Sequence, residues 1–316
     1  MIRKSVDAQA IGLMTLLCMT WGMQQVSIKL AAEDIASVMQ IALRSGLAVV
    51  LLTLFMLWRR DSLSLRENWK PGLLAGLLFS AEFFFVAEGL RFTSASHISI
   101  FVYSAPIFAA LGLHIKLPAE RLNGIQWAGI LLAFCGIAIT FLGREDGGSA
   151  GLDASDMIIG DLLGLLAGLS WGATTVVIRC SNLSSSPASQ TLMYQLLVCF
   201  VLVLAAAIFS DRAAINWTTV ATSSLLFQAV IICFISFLTW FWLLGKYVAS
   251  QLGVFSFMTP LFGMLFGVLI LDESLEQGFI FGAALVMSGI LLVSGQSVIR
   301  RYFSTLTGKK AVDHKR

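Results

Sequence analysis

Charge is what this sequence most lacks. Only 12% of its 316 residues are Asp, Glu, Lys or Arg, about half the roughly 25% of a soluble domain. That scarcity excludes an ordinary water-soluble globule. Enzyme signatures are missing too. There is no Walker loop, no dinucleotide fingerprint, no HExxH and no GxSxG, and no cofactor is expected. Cysteine is sparse, and Cys18, Cys135, Cys180, Cys199 and Cys233 all fall in or at the ends of apolar runs. None shows metal-ligand spacing or a disulfide framework, so no metal is expected and they read as small packing residues. The basic residues are scattered rather than clustered, which disfavours nucleic acid as a partner.

What is present is apolar length. The chain is 58% hydrophobic, with a mean hydropathy of +0.86. A membrane helix needs ~20 mainly apolar residues. Ten segments qualify: 8–31, 35–58, 72–90, 94–115, 124–142, 160–179, 188–210, 220–244, 249–271 and 278–299. The fold class expected is all-α and integral to the membrane. The first run is longer than a signal-peptide core and shows no small-residue cleavage site, so it reads as a retained helix. Positive charge sets orientation. With the N-terminus inside, 16 of the 21 lysines and arginines face inward. Only Lys29, Arg91, Arg144 and Arg212 face outward, and Arg44 lies within a span. Both termini are then cytoplasmic, the glycine-rich acidic connector 143–159 lies outside, and the basic tail 300–316 lies inside.

The sequence also repeats itself. Thr20-Trp21-Gly22 with Val26, Ile28 and Lys29 returns at an offset of 150 as Ser170-Trp171-Gly172 with Val176, Ile178 and Arg179. Gly129 and Gly136 return at an offset of 153 as Gly282 and Gly289, as do Glu120 and Leu122 as Glu273 and Leu275. Pro106 and Pro260 each interrupt a long apolar run. Each leaves a backbone carbonyl without its donor, which lipid tolerates only beside neighbouring helices or a wet cavity. The repeat makes 8–142 and 160–299 two five-helix units. Five is odd, so the second must enter the membrane inverted, an arrangement that places a site at mid-membrane between the units.

These residues resemble the drug/metabolite transporter superfamily in its EamA-type branch. The carrying features are Trp21-Gly22, Trp171-Gly172, Arg44, Arg91-Phe92-Thr93-Ser94-Ala95, Pro106 with Glu120-Arg121-Leu122, and Pro260 with Glu273-Ser274-Leu275. The resemblance covers residues 10 to 299. It implies ten helices in two inverted repeats, a bacterial inner-membrane location, and carriage, often export, of small polar metabolites such as amino acids. It implies further that the first, third, fourth, sixth, eighth and ninth spans line a cavity. One departure is a spacing one residue shorter between Ala249 and Pro260 than between Ser94 and Pro106.

Polar residues at membrane depth are the candidate site. Glu82 and Arg44 lie at matching depths, ~15 and ~14 Å in at 1.5 Å per residue. They read either as a structural ion pair or as a cavity carboxylate that binds a substrate amine or a proton, with Arg44 in a structural or coupling role. The two readings predict opposite protonation states. Glu88 and His97 lie near the outer surface and could pair. Trp21, Gln24, Gln25 and Ile28 form one helix face, and the two amides either bond between helices or line the cavity. Trp171 matches Trp21. Tyr103 shares a stripe with Ser99 and Pro106, Gln228 with Ser236 and Thr239, and Ser256 precedes Pro260. Phe83, Phe84 and Phe85 read as lipid-facing or packing, and so do Trp240 and Trp242.

The expectation is a secondary transporter using alternating access, most often exporting an amino acid or related metabolite. A proton is a candidate coupling ion and a homodimer a candidate assembly. The alternatives are a different cargo, such as a drug or sugar derivative, or an intramembrane enzyme acting on a lipid-linked substrate. The enzyme would need convergent acid, base or metal groups, for which Glu82, Arg44 and His97 are the only candidates, and contact between His97 and Glu82 would favour it. The topology has its own test. A reporter active only outside the cytosol should report when inserted in 143–159, and a cytosolic reporter when fused after residue 300. A cytosolic 143–159 refutes the arrangement.

Overall fold

The structure, a computed structural model, describes residues 7–60, 68–118, 121–142, 154–247, 252 and 255–294. Glu120, Ala249, most of the connector and the basic tail lie outside the described residues. Twelve α-helical elements carry the chain among the described residues: α1 Ala8–Leu30, α2 Ser37–Arg59, α3 Trp69–Phe92, α4 Ala95–Val102, α5 Ala105–Lys116, α6 Gly124–Leu142, α7 Ala154–Arg179, α8 Ala188–Phe209, α9 Thr219–Leu226, α10 Phe237–Lys246, α11 Met258–Leu271 and α12 Gln277–Ser294. Seven helical stretches are long and apolar enough to cross a membrane, and three shorter apolar helices accompany them. We call the end of the bundle where α1 and α3 finish the distal face.

Two long spans are broken, and the reasons are local. Pro106 sits in the first turn of α5 and cannot donate to the carbonyl four residues back. The helix stops at Val102, the chain turns through Tyr103 and Ser104, and the Ser104 hydroxyl donates to Phe101 O at 2.6 Å. Pro260 does the same below α11, where Ser256 and Phe257 form the turn. The span beginning at α9 widens instead into a π-helical stretch, Phe227–Ser236, before α10. The wider turn brings Gln228, Ile232, Cys233 and Ser236 to one buried side. α7 starts at Ala154, earlier than the expected 160, and carries Asp156 in its first turn, where an acidic side chain suits the helix dipole. At the opposite end Asp7 caps α1, accepting from Ala10 N at 2.9 Å and from the Tyr247 hydroxyl at 2.9 Å. Those two donors hold its carboxyl below the usual range.

The closest helix pairings all join an element of 8–142 to one of 154–294: α6 with α12, α3 with α7, α2 with α8, and α1 with α11. Small residues permit this, because lipid offers no hydrophobic drive between helices and association rests on close packing. A Cβ on Gly136 would lie 2.6 Å from Gly282 O, and one on Gly129 would lie 2.8 Å from Gly289 O. The order reverses along the chain, so α6 and α12 cross antiparallel. On α7 a glycine recurs every fourth residue. Gly160 meets Thr93, Gly164 meets Phe101, Gly168 meets Phe101 O at 2.8 Å, and Gly172 meets Ala105 O at 2.9 Å. The ladder seats α7 along α4 and the first turns of α5, as far as Ala109. Outward-facing apolar side chains such as Leu57, Phe209 and Phe281 stay exposed, as a lipid-facing surface requires.

Two glycines should respond oppositely to added bulk. Gly136→Leu drives a side chain into backbone and should cost about 1–3 kcal/mol. Gly12, with nothing within 4 Å of its Cβ position, should accept alanine with a gain of up to about 1 kcal/mol. Apparent Tm of the detergent-solubilised protein separates the two.

Candidate functional site

A set of polar and aromatic side chains meets in the interior of the bundle, with Arg44, Tyr103, Trp21 and Glu82 ~10–15 Å from the distal ends of their helices at ~1.5 Å rise per residue. Trp21 and Gln25 enter it from α1, Arg44 from α2, Glu82 from α3, Tyr103 from the end of α4, Trp171 from α7 and Thr259 from α11. Arg44 is 1% exposed and Glu82 6% exposed. The Tyr103 ring meets Trp171 edge-on at 5.2 Å, and Thr259 Oγ1 is buried without a hydrogen-bond partner among the described residues.

Of the two readings of Arg44 and Glu82, the direct ion pair is not made among the described residues. Arg44 Nε and Nη1 and Glu82 Oε2 are buried without a hydrogen-bond partner among the described residues. The guanidinium lies over the Phe83 ring, 4.4 Å from its centre. Phe83 therefore faces the cation rather than lipid. An aromatic face supplies part of what a cation loses on leaving water, but it satisfies none of the N–H groups. Gln25 Oε1 is buried and unpartnered as well. Such groups cost free energy unless something meets them, and a layer holding several is built to be met.

Other candidates are engaged. Trp21 Nε1 donates to Ser236 Oγ at 2.9 Å, and its ring meets Trp240 edge-on at 5.8 Å. Gln24 is buried on the same helix face. Gln228 Nε2 donates to Gln40 Oε1 at 2.8 Å and to Ser224 Oγ at 3.0 Å. Gln40, which the sequence reading passed over, donates to Ile28 O at 3.0 Å and Ile35 O at 2.8 Å. It ties α1, α2 and the π-helical stretch together. Ser256 is half-buried in the turn before α11. Pro106 and Pro260 each lie in the first turn after a break, not in the middle of a continuous helix.

The distal face corrects a second pairing. Glu88 accepts from Arg91 Nη1 and Arg212 Nη1, each at 2.6 Å. His97 instead meets Asp161 of α7, with Nδ1 3.0 Å from both carboxylate oxygens, so that nitrogen is the donor. Its ring stacks on Phe279 at 3.9 Å, and Thr93 Oγ1 also donates to Asp161 at 2.9 Å. His97 and Glu82 therefore belong to different clusters. Asp161 escaped notice because it follows an acidic stretch that reads as a connector.

Fold and site together define a multi-pass α-helical membrane protein with a buried, incompletely paired polar layer. The EamA-like transporter family matches twice, over residues 8–142 and 158–295, and the chain belongs to that family. It is 27% identical over 274 residues to the uncharacterised transporter YoaV of Bacillus subtilis, covering 86% of this chain and 92% of that one. It is 26% identical over 288 residues to a probable amino-acid metabolite efflux pump of Escherichia coli, covering 88% and 92%. A crystal structure with 18% identity superposes with a TM-score of 0.65, over 98% of this chain and 100% of the other.

The two buried amides should separate structure from site. Gln40→Leu strands two carbonyls and Gln228, and should cost about 1–3 kcal/mol. Gln25→Leu removes an unpartnered oxygen and should leave the apparent Tm unchanged or raised. Thermal melts of both variants in one detergent are the check.

Proposed function

We propose that the protein is a secondary transporter that exports an amino acid or related metabolite by alternating access. In this reading 8–142 and 160–299 are two inverted five-helix repeats, so that ten spans cross a bacterial inner membrane with both termini in the cytoplasm. The distal face is then the outer face. The reversed glycine crossing of α6 and α12 supports this, because Gly129 and Gly136 are the repeat mates of Gly282 and Gly289. Two equivalent helices that meet antiparallel through equivalent residues are what an inverted pair produces.

The observation that carries the cargo class is the buried Arg44 guanidinium and Glu82 carboxyl, at similar depth and with no bond between them among the described residues. A charge is held in such a place only if something answers it. A zwitterion answers both: its carboxylate takes the Arg44 N–H groups and its ammonium takes Glu82 Oε2. The Gln25 carbonyl and the Tyr103 hydroxyl supply further hydrogen bonds. Trp21 and Trp171 close the walls, while Gln228 and Ser256 frame the sides. One carboxylate can hold either an ammonium or a proton, so cargo leaving Glu82 makes room for a proton, and the two fluxes run in opposite directions. Sequence similarity to a probable amino-acid metabolite efflux pump in each of Escherichia coli and Salmonella typhimurium supports such a cargo.

Proteoliposomes test this. A preloaded amino acid should drive counterflow of its radiolabelled form, which a pore would not support. Glu82→Gln should lower uptake driven by a pH gradient at least tenfold and remove its dependence on pH. Arg44→Gln should abolish the preference for an amino acid over the amine lacking its carboxylate. Undiminished gradient-driven uptake in Glu82→Gln refutes the proton role, and an unchanged preference in Arg44→Gln refutes the assignment of Arg44.

A further inference from the structure

The first turn of α4 is held from two sides, and the two holds differ in kind. On one side Asp161 of α7 binds Thr93 and His97. That hold lies inside a continuous seam, because the α7 glycine ladder packs backbone to backbone along α4 and α5 from Gly160 to Gly172. These three helices form one body. On the other side stands Glu273, just past the end of α11. Asp272 adopts the left-handed conformation, φ 53°, which ends α11 and turns the next side chain back toward the bundle. The carboxylate of Glu273 accepts from Ala95 N at 2.6 Å, Ser96 N at 3.0 Å and Ser96 Oγ at 2.6 Å. Free N–H groups at a helix start attract an anion, and here the anion belongs to a different helix.

Glu273 travels with a second body. α11 packs against α1 through Gly22, where a Cβ would lie 2.8 Å from Gly263 N. α1 also supplies Lys29, whose Nζ lies 3.7 Å from Glu273 Oε1 and donates to Thr93 O at 2.8 Å. So α1 and α11 reach across at the distal end with one cation and one anion, and both bind the start of α4. Glu273 is 5% exposed. No other strong polar contact joins α11 to α4 among the described residues. Near Glu273 α11 approaches α4 through small groups, Gly263 against Ser99 and Gly267 against Ser96, and beyond them the contact is apolar.

We propose that Glu273, assisted by Lys29, is the distal gate of the transporter: its bonds to the first turn of α4 seal the Arg44–Glu82 layer from the distal side and break when that side opens. The Asp161–His97 hold stays intact through the cycle, since it lies within one body. The assignment rests on the alternating-access reading. It adds which contact is the breakable one. Once parted, the carboxylate, the ammonium and the helix start all meet water, so each lost bond has a replacement. An apolar seal would have none.

Access of a membrane-impermeant maleimide to a single cysteine tests the gate. The probe is Ser99→Cys, one turn inward of the gate, in full-length protein whose five native cysteines are replaced by alanine. Labelling is timed in whole cells and in inverted vesicles. Glu273→Ala should speed labelling from the distal side at least threefold. Glu273→Gln and Lys29→Met, which preserve bulk and serve as folded comparators, should speed it by less. Asp161→Asn should change the distal-side rate by less than Glu273→Ala does. A change under threefold in Glu273→Ala, or an equal rise from both faces, overturns the proposal. Counterflow by the unmodified protein is scored separately, so transport can fail while the labelling result stands, and the reverse.

Discussion

Backbone-to-backbone contact is the constraint on which this structure depends. α7 presents a glycine at every fourth residue, and α4 and α5 lie directly on that strip. Inside a membrane such contact replaces the hydrophobic drive that assembles soluble helices. It also fixes everything that α4 and α7 carry. Tyr103 meets Trp171, and His97 meets Asp161, because the strip leaves the two helices one alignment. The break before Pro106 belongs to the same constraint. The carbonyls released at Phe101 and Val102 face the glycine strip, with the Ser104 hydroxyl beside them.

Against that rigid seam the polar layer is deliberately incomplete. Gln40, Gln228, Ser224 and Ser27 bond to one another near the distal ends of their helices, and that network holds helices together. A few ångströms further in, Arg44, Glu82 and Gln25 keep groups in hand. Both sets are buried polar side chains of similar type. What distinguishes them is degree: the first set bonds within itself and leaves Gln228 Oε1 without a partner, whereas both charged side chains of the second leave groups unmet. A satisfied network rigidifies its surroundings, whereas an unsatisfied one carries a standing cost that a bound molecule relieves.

Much of this was legible in the sequence, because a charged or amide side chain in a long apolar run is conspicuous. Arg44, Glu82 and Gln25 stand out on that ground alone, and the proline breaks follow from covalent chemistry. Partner choice was not legible. Arg44 and Glu82 share a depth, which suggested a pair. Depth fixes only one coordinate, and the azimuth of α2 turned the guanidinium onto Phe83. His97 and Glu88 share an end of the bundle on similar grounds, but α7 passes beside His97 and brings it Asp161. Glu273 read as a marker at the end of a run. Its work became visible only when the chain reversal at Asp272 aimed it at another helix.

The crossing of α6 and α12 has a consequence for how such a chain can change over generations. Each of Gly129, Gly136, Gly282 and Gly289 faces backbone of the opposite helix. A bulkier residue at any of them is therefore resisted by main-chain atoms, which no compensating side-chain exchange can remove. Elsewhere the two halves are free to drift apart in sequence, and they have. At this crossing neither half can drift alone, so these four positions should be the slowest to diverge after a duplication.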